Sequence, residues 1–337
     1  MSERNKPKEA LTVAFIMPTL NAEQHLETCL RSIVRQKYPK HKMEIIICDG
    51  GSTDTTLHVA EKYNCKVIYN PKHRADDGIA LGMKASKADI NFVVNADNEL
   101  PRDDWVCLMT KPFVEHLDIH GVFTKTLQHE RDSTISRYWS LLHDHNPLNW
   151  FIFRNVIDPK NMRKSYGVIK ETPCYKVFDF NTQRFPLVYI AQGFGIRRNF
   201  VHSIGSKFEH VNTVIEMIQK GLKIAYVPDA GMYHYTLDNF QHFIRKFHHR
   251  IIDRLKTKEY GYRSRMRLMT KQRKIRQFLW FLYSLSLIFP TLDSVKGWLK
   301  DRDTAWFYHP LVCFALSLLM LISYIEYKVN NKAFDKI

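Results

Sequence analysis

A mostly parallel α/β domain followed by basic and then apolar helices is the architecture this sequence predicts. Three observations carry that expectation. Short β-branched runs alternate with amphipathic stretches through the N-terminal half, most of the runs end in clusters of Asn, Asp, Gly and Thr, and the positive charge is gathered in one later segment that leads into uncharged apolar runs. Strand–helix–strand alternation buries both faces of each strand, which favours a parallel sheet covered by helices.

The elements follow in order. TVAFIMP reads as a first strand and residues 22–36 as an amphipathic helix. EIIICD is a second strand, residues 55–63 a second helix, CKVIYN a third strand, residues 78–85 a short helix and INFVVNAD a fourth strand. Residues 126–184 are aromatic and basic without clean periodicity; Trp139, Trp150, Phe151 and Phe153 are candidates for a core or for a bilayer interface, where Trp is favoured. Further on, QGFGIRRNF reads as a strand and turn and residues 211–220 as a helix.

The 337 residues, 45% hydrophobic and 25% charged with only 13 Gly and 13 Pro, describe a folded chain and exclude disordered and collagen-like classes. Six cysteines lie scattered without a Cys-x-x-Cys pair, which argues against a zinc ribbon or disulfide framework and for a reducing compartment. Residues 241–276 hold thirteen Lys and Arg against Asp253 and Glu259, most of the net charge of +16. Two apolar runs follow, 277–290 and 305–325, the second uncharged and long enough to span a bilayer, the first short and re-entrant or interfacial. This order points to an anionic membrane as partner rather than to nucleic acid, and the Lys/Arg flanks put the N-terminal domain on the cytoplasmic face of a cell membrane. The expected division is 1–240 for the α/β domain, 241–276 for a basic juxtamembrane segment and 277–337 for membrane-associated helices.

In parallel sheets, ligands bind at the carboxyl ends of strands. In CDGGSTDTT, Asp49 ends a strand, Gly50 and Gly51 permit a tight turn, and residues 52–54 are placed to cap the next helix; the turn also suits a nucleotide. NADNELP sets Asn95, Asp97 and Glu99 at alternate positions past the fourth strand, oxygen donors suited to a diphosphate and a hard cation.

Together PTLNAE, CDGGSTDTT, NADNELP and YVPDAGMYHY, in that order over residues 11–235, resemble the family 2 glycosyltransferases with the GT-A fold. The resemblance implies inverting transfer from a UDP- or GDP-sugar with Mg²⁺ or Mn²⁺ to a lipid-linked or cell-surface glycan acceptor. It puts Pro18, Thr19, Asn21, Asp49 and Asp54 at the nucleoside and Asn95 and Asp97 at the diphosphate, with Asp97, Glu99 and His234 as metal ligands. Asn95 stands where the family's metal-binding motif has its first Asp, and Glu99 offers a replacement carboxylate. The catalytic base corresponds to Glu209 or to His210, which replaces an expected Asp; a phosphate acceptor, already an anion, needs neither. Arg197 and Arg198 are candidates to meet a phosphate, and Gly193 and Gly195 to let a sugar approach the backbone. A transferase-like protein that binds nucleotide or lipid without turnover is the alternative that the changes at 95 and 210 leave open.

Overall fold

The computed structural model describes residues 10–153, 159–181, 193–204, 208, 210–256 and 268–334. The chain forms two compact units, one running to Leu127 and resuming from Pro159 to His234, the other made of residues 128–158 and 235–337. In chain order the first unit begins with β1 (Val13–Thr19), α1 (Glu23–Val34), β2 (Met43–Asp49), α2 (Thr56–Lys62), β3 (Lys66–Tyr69), α3 (Ala75–Ala85), β4 (Ile90–Val93), β5 (Asn98–Glu99), α4 (Trp105–Glu115), β6 (Ile119–Phe123) and β7 (Thr126–Leu127). The second unit starts with α5 (Thr134–Leu141) and α6 (Pro147–Phe153). The first resumes with α7 (Pro159–Tyr166), β8 (Val168–Glu171), β9 (Lys176–Phe178), β10 (Gly195–Arg197), α8 (Arg198–Ile204), α9 (His210–Gln219), β11 (Lys223–Tyr226) and β12 (Met232–His234). The second closes with α10 (Phe240–Lys256), α11 (Lys271–Leu285), α12 (Ile288–Asp301) and α13 (Tyr308–Phe334).

Among the described residues the first unit holds a nine-stranded sheet in the order β3-β2-β1-β4-β10-β6-β11-β9-β8. From β3 to β4 every neighbour is parallel, as the strand–helix alternation predicts. Val13 to Met17 of β1 are fully buried, the continuous apolar run of a strand covered on both faces. β10 runs against both β4 and β6, while β11 is parallel to β6. A small second sheet, β5-β12-β7, pairs Tyr233 with Glu99 and His234 with Asn98.

Side chains of α1 staple the loop that follows β5. Ser32 Oγ accepts from Leu100 N at 3.0 Å, Arg35 donates to the Leu100 carbonyl at 2.6 Å, and Gln36 donates to Arg102 O at 2.6 Å while accepting from Val106 N at 3.2 Å. The chain around Asp97 is thus held by a helix formed much earlier in the sequence.

The second unit is helical around an aromatic core of Tyr138, Trp139, Phe151, Trp280 and Trp306. Residues 128–158, which composition alone leaves inside the 1–240 segment, pack with the C-terminal helices because their aromatic side chains need that core. Trp139, Phe151 and Phe153 are buried, and the Trp150 ring stands edge-on to His309 at 4.9 Å. A chain of hydrogen bonds links α5, α13, α11 and α12. Tyr138 Oη lies 2.8 Å from His309 Nδ1, Tyr283 Oη lies 2.9 Å from His309 Nε2, and Tyr283 donates to Asp293 at 2.9 Å. Because the Tyr283 proton goes to the carboxylate, the Tyr283 oxygen is left to accept from His309 Nε2–H.

Helix α3 lies close against β1 because Gly82 has no side chain. A Cβ there meets Ile16 Cγ2 at 2.5 Å and Cys48 Sγ at 2.9 Å. Gly82→Ala is therefore expected to destabilise the first unit by about 1–3 kcal/mol. The cost should be smaller in an Ile16→Ala background, a coupling that urea denaturation of the double-mutant cycle measures.

Candidate active site

Asp49, the last residue of β2, organises the carboxyl edge of the sheet. It is only 3% exposed and its two oxygens collect four donors. Thr19 Oγ1 at 2.9 Å and Ser52 Oγ at 2.5 Å donate to Oδ1; the Gly51 and Ser52 amides, each at 2.8 Å, donate to Oδ2. Burial acts to raise the pKa of this carboxyl, but donation from Ser52, Thr19 and Gly51 outweighs it and the net shift is downward. Asp49 therefore folds the turn, and what it presents outward is the backbone at Gly51, held at φ 91° in the region glycine tolerates best.

Asn21 and Asp54 tie this turn to the loop after β1. Asn21, at φ 50°, donates its amide to Ser52 Oγ at 2.8 Å and accepts from Thr53 N at 2.9 Å. Asp54 accepts from Glu23 N at 3.2 Å and from Thr56 N at 3.0 Å; burial opposes, but donation from Thr56 and Glu23 prevails and lowers its pKa. Glu23 returns the contact by accepting from Thr55 N at 3.1 Å. Pro18 falls beyond the last β1–β4 pair, Ile16 with Val93, where no ladder bond to β4 is required of it. Pro18, Thr19, Asn21, Asp49 and Asp54 thus form one interlocked pair of loops.

The order β3-β2 adds residues that strand-end reading overlooked. Asn70 N donates to the Asp49 carbonyl at 2.7 Å, and the His73 ring is hydrogen-bonded to the Gly50 carbonyl. Tyr69 is 62% exposed and stands edge-on to His73 at 6.4 Å, both rings lying just beyond the open side of Gly51. An exposed aromatic ring beside a bare glycine backbone makes a platform on which a planar base can stack. The end of the third strand, CKVIYN, was the sequence signal that could have found these positions, since a parallel neighbour of β2 ends beside Asp49.

The second half of the edge is the turn after β4. Asn98 Oδ1 accepts from Asn95 N at 2.8 Å and Asn98 N donates back to Asn95 O at 3.0 Å, so Asn95 serves the turn through its backbone. Cys29 of α1 donates to the same Asn95 carbonyl at 3.5 Å, and burial, reinforced by the charges of Asp97 and Glu99, keeps its thiol protonated. The antiparallel pairing of β12 with β5 delivers His234, whose Nε2 lies 3.3 Å from Asp97 Oδ1. Adjacent donors of one octahedral ion at bond lengths of about 2.1 Å stand about 3 Å apart, so this pair has the spacing of two neighbouring ligands. Among the described residues Asp97, Glu99 and His234 do not gather into a three-ligand cluster; the carboxylate–imidazole pair is what the fold assembles.

Other candidates fall elsewhere. Glu209 lies outside the described residues; His210 is the first residue of α9. Arg197 donates to the carbonyls of Ile119 at 3.1 Å and Phe113 at 2.9 Å, and Arg198 to Lys87 O at 2.9 Å. Because β10 is antiparallel, Arg197 pairs with Ile90 at the amino end of β4, the edge opposite Asp97, so neither arginine meets a phosphate there. Gly195 is required by packing rather than by a sugar, since a Cβ there meets the Phe92 ring at 2.5 Å.

Residues 14–178 match the profile described as Glycosyl transferase family 2. The chain is 32% identical over 101 residues to the dolichyl N-acetyl-alpha-D-glucosaminyl phosphate 3-beta-D-2,3-diacetamido-2,3-dideoxy-beta-D-glucuronosyltransferase of Methanococcus voltae, a match covering 28% of this chain and 31% of that protein. It is 32% identical over 90 residues to the poly(ribitol-phosphate) beta-N-acetylglucosaminyltransferase TarS of Staphylococcus aureus, covering 26% of this chain and 16% of the relative. The chain thus spans a third or less of the length of these relatives. The mannosyltransferase PcManGT of Pyrobaculum calidifontis, solved with GDP-Man and Mn²⁺, superposes over 94% of this chain and 88% of its own at a TM-score of 0.54 and 13% identity. That likeness concerns the fold, which is the GT-A arrangement.

Asp49 supplies a pH test of the turn. A carboxyl whose folded pKa lies below its unfolded value of about 3.9 contributes stability above that value and loses it as pH falls through the folded value. Asp49→Asn is expected to cost about 1–3 kcal/mol at neutral pH. The gap to the unsubstituted protein should narrow below about pH 4, as read from urea midpoints across a pH series.

Proposed function

Since this chain, through residues 14–178, belongs to glycosyl transferase family 2, we propose that it transfers a sugar, with inversion, from a nucleotide-sugar donor to a lipid-linked or cell-surface glycan. The observation that carries the reading is the placement of the Asp97–His234 pair and the Asp49 turn on one carboxyl edge of a parallel sheet. In this reading the base of a UDP- or GDP-sugar lies over Gly51 beside Tyr69, with Pro18, Thr19, Asn21 and Asp54 holding the loops that receive the nucleoside. Asp97 and His234 face the diphosphate, with Asn95 and Glu99 bordering it, and are the residues that would hold Mg²⁺ or Mn²⁺. The bound cation would supply positive charge to the leaving diphosphate.

The acceptor hydroxyl is deprotonated by Glu209 or His210, or arrives as a phosphate anion needing no base. Two relatives support the acceptor class by their names: one acts on a dolichyl phosphate-linked sugar and one on poly(ribitol-phosphate). The basic 241–276 segment and the apolar helices beyond it support attachment to an anionic membrane, with the first unit on the cytoplasmic side.

The test is nucleoside diphosphate release from UDP- and GDP-sugars by detergent-purified protein, with a membrane lipid extract and with or without Mn²⁺. Asp97→Asn and His234→Ala should each lower the rate about a hundredfold or more with the fold retained. An unchanged rate for Asp97→Asn removes the pair from the mechanism. Donor binding without release from any sugar supports the reading without turnover.

A further inference from the structure

The turn at the end of β2 is firmly built, yet its carboxylate is fully engaged. A carboxylate has about four lone-pair positions, and those of Asp49 receive Thr19 Oγ1, Ser52 Oγ and the Gly51 and Ser52 amides. Asn21 Oδ1 is engaged by Thr53, and the Gly50 carbonyl by His73. The ring N–H of a base lying over Gly51 therefore needs an acceptor other than Asp49.

His73 supplies one. Its Nδ1 is hydrogen-bonded to the Gly50 carbonyl. A carbonyl only accepts, so Nδ1 carries the hydrogen, and in the neutral ring Nε2 is left as an acceptor. Among the described residues no hydrogen bond is made to that nitrogen.

The ring is held in place by its own loop. His73 stands at φ 57°, a left-handed conformation uncommon outside glycine, and its amide donates to Asn70 O at 3.1 Å. Asn70 is buried; its amide donates to the Asp49 carbonyl at 2.7 Å and its Nδ2 to Arg74 O at 2.8 Å. Gly50 lets the two loops touch, since a Cβ there meets the His73 backbone at 3.3 Å. Backbone strain that the surroundings hold in this way gathers at ligand-binding turns. On the open side of Gly51 the nearest ring atoms are His73 Cε1 and Tyr69 Cε2, each at 3.8 Å from where a Cβ would stand. Cε1 lies between the two ring nitrogens, so Nε2 is the nitrogen turned away from Gly50.

We infer that His73, and not Asp49, selects the base of the donor, a conclusion that rests on the nucleotide-sugar reading proposed above. Nε2 accepts the ring N–H that uracil carries at N3 and guanine at N1, while Tyr69 supplies the stacking surface. Cytosine N3 and adenine N1 are themselves acceptors and repel the Nε2 lone pair. His73 thus distinguishes bases by one hydrogen on the ring.

The test is isothermal titration calorimetry of UDP, CDP, GDP and ADP with the detergent-purified full chain and Mn²⁺. UDP should bind about tenfold or more tighter than CDP, or GDP than ADP, and the pair that shows the preference identifies the base. His73→Asn keeps an amide N–H where Nδ1 stands, tolerates positive φ and lacks the outer nitrogen. It should abolish the preference at an unchanged urea midpoint. Tyr69→Ser should weaken both members of the pair alike, because stacking is blind to the base edge. A preference kept in His73→Asn, or lost in Tyr69→Ser instead, overturns the inference. If His73→Asn lowers the urea midpoint, the unsubstituted protein decides with the preferred nucleotide methylated at its ring N–H: binding as weak as that of CDP or ADP supports the inference, and binding as tight as that of the parent overturns it. Equal affinities within both pairs overturn the inference while nucleotide binding stands. Absence of binding by all four nucleotides overturns both the inference and the nucleotide-sugar reading.

Discussion

The carboxylate of Asp49 is the constraint on which the carboxyl edge of the sheet depends. Parallel strands end side by side, and their connecting loops leave the edge with backbone amides that need acceptors. One buried carboxylate answers several of them at once, taking Thr19 from the neighbouring strand and Gly51 and Ser52 from its own turn. The next layer follows: Ser52 receives Asn21, Asn21 receives Thr53, and Asp54 and Glu23 exchange contacts across the gap. The bonds to Asp49, at 2.5 to 2.9 Å, are charge-assisted and stronger than neutral ones, so the turn is already ordered before any ligand arrives.

The other half of the edge is organised by distance along the chain rather than by local turn chemistry. β12 returns late in the sequence to pair with β5, and that pairing sets His234 beside Asp97. Helix α1 fixes the same turn from below through Ser32, Arg35 and Gln36. Strand direction then decides which polar side chains take part. β10 is antiparallel, so its arginines finish at the far edge and tie down backbone carbonyls.

The second unit solves a different problem, an aromatic core whose outer surface remains apolar along α11 and α12. Its buried polar chain from Tyr138 through His309 and Tyr283 to Asp293 is satisfied at each step and fixes how four helices meet. Buried polar groups of this kind suit a helix packed against protein, while exposed Phe278 and Leu282 suit one packed against lipid. Hydropathy alone does not separate the two cases, because it sums the side chains of a helix without regard to the face they occupy.

The sequence by itself determined the order of strands and helices in the N-terminal half and the turn residues at each carboxyl end, and it singled out Asp97 and His234 as candidates. These are local signals: period-two and period-3.6 burial, glycine where φ is positive, oxygen donors just past a strand. Tertiary structure alone decided that residues 128–158 join the C-terminal helices, that Arg197 and Arg198 leave the edge, that Tyr69 and His73 flank Gly51 and that Asp97 and His234 touch. Each of those outcomes depends on strand direction or on pairing between distant segments, and neither is written in the composition of any single segment. The same limit applies to residues 305–325, whose apolar composition satisfies a bilayer or a protein core equally well.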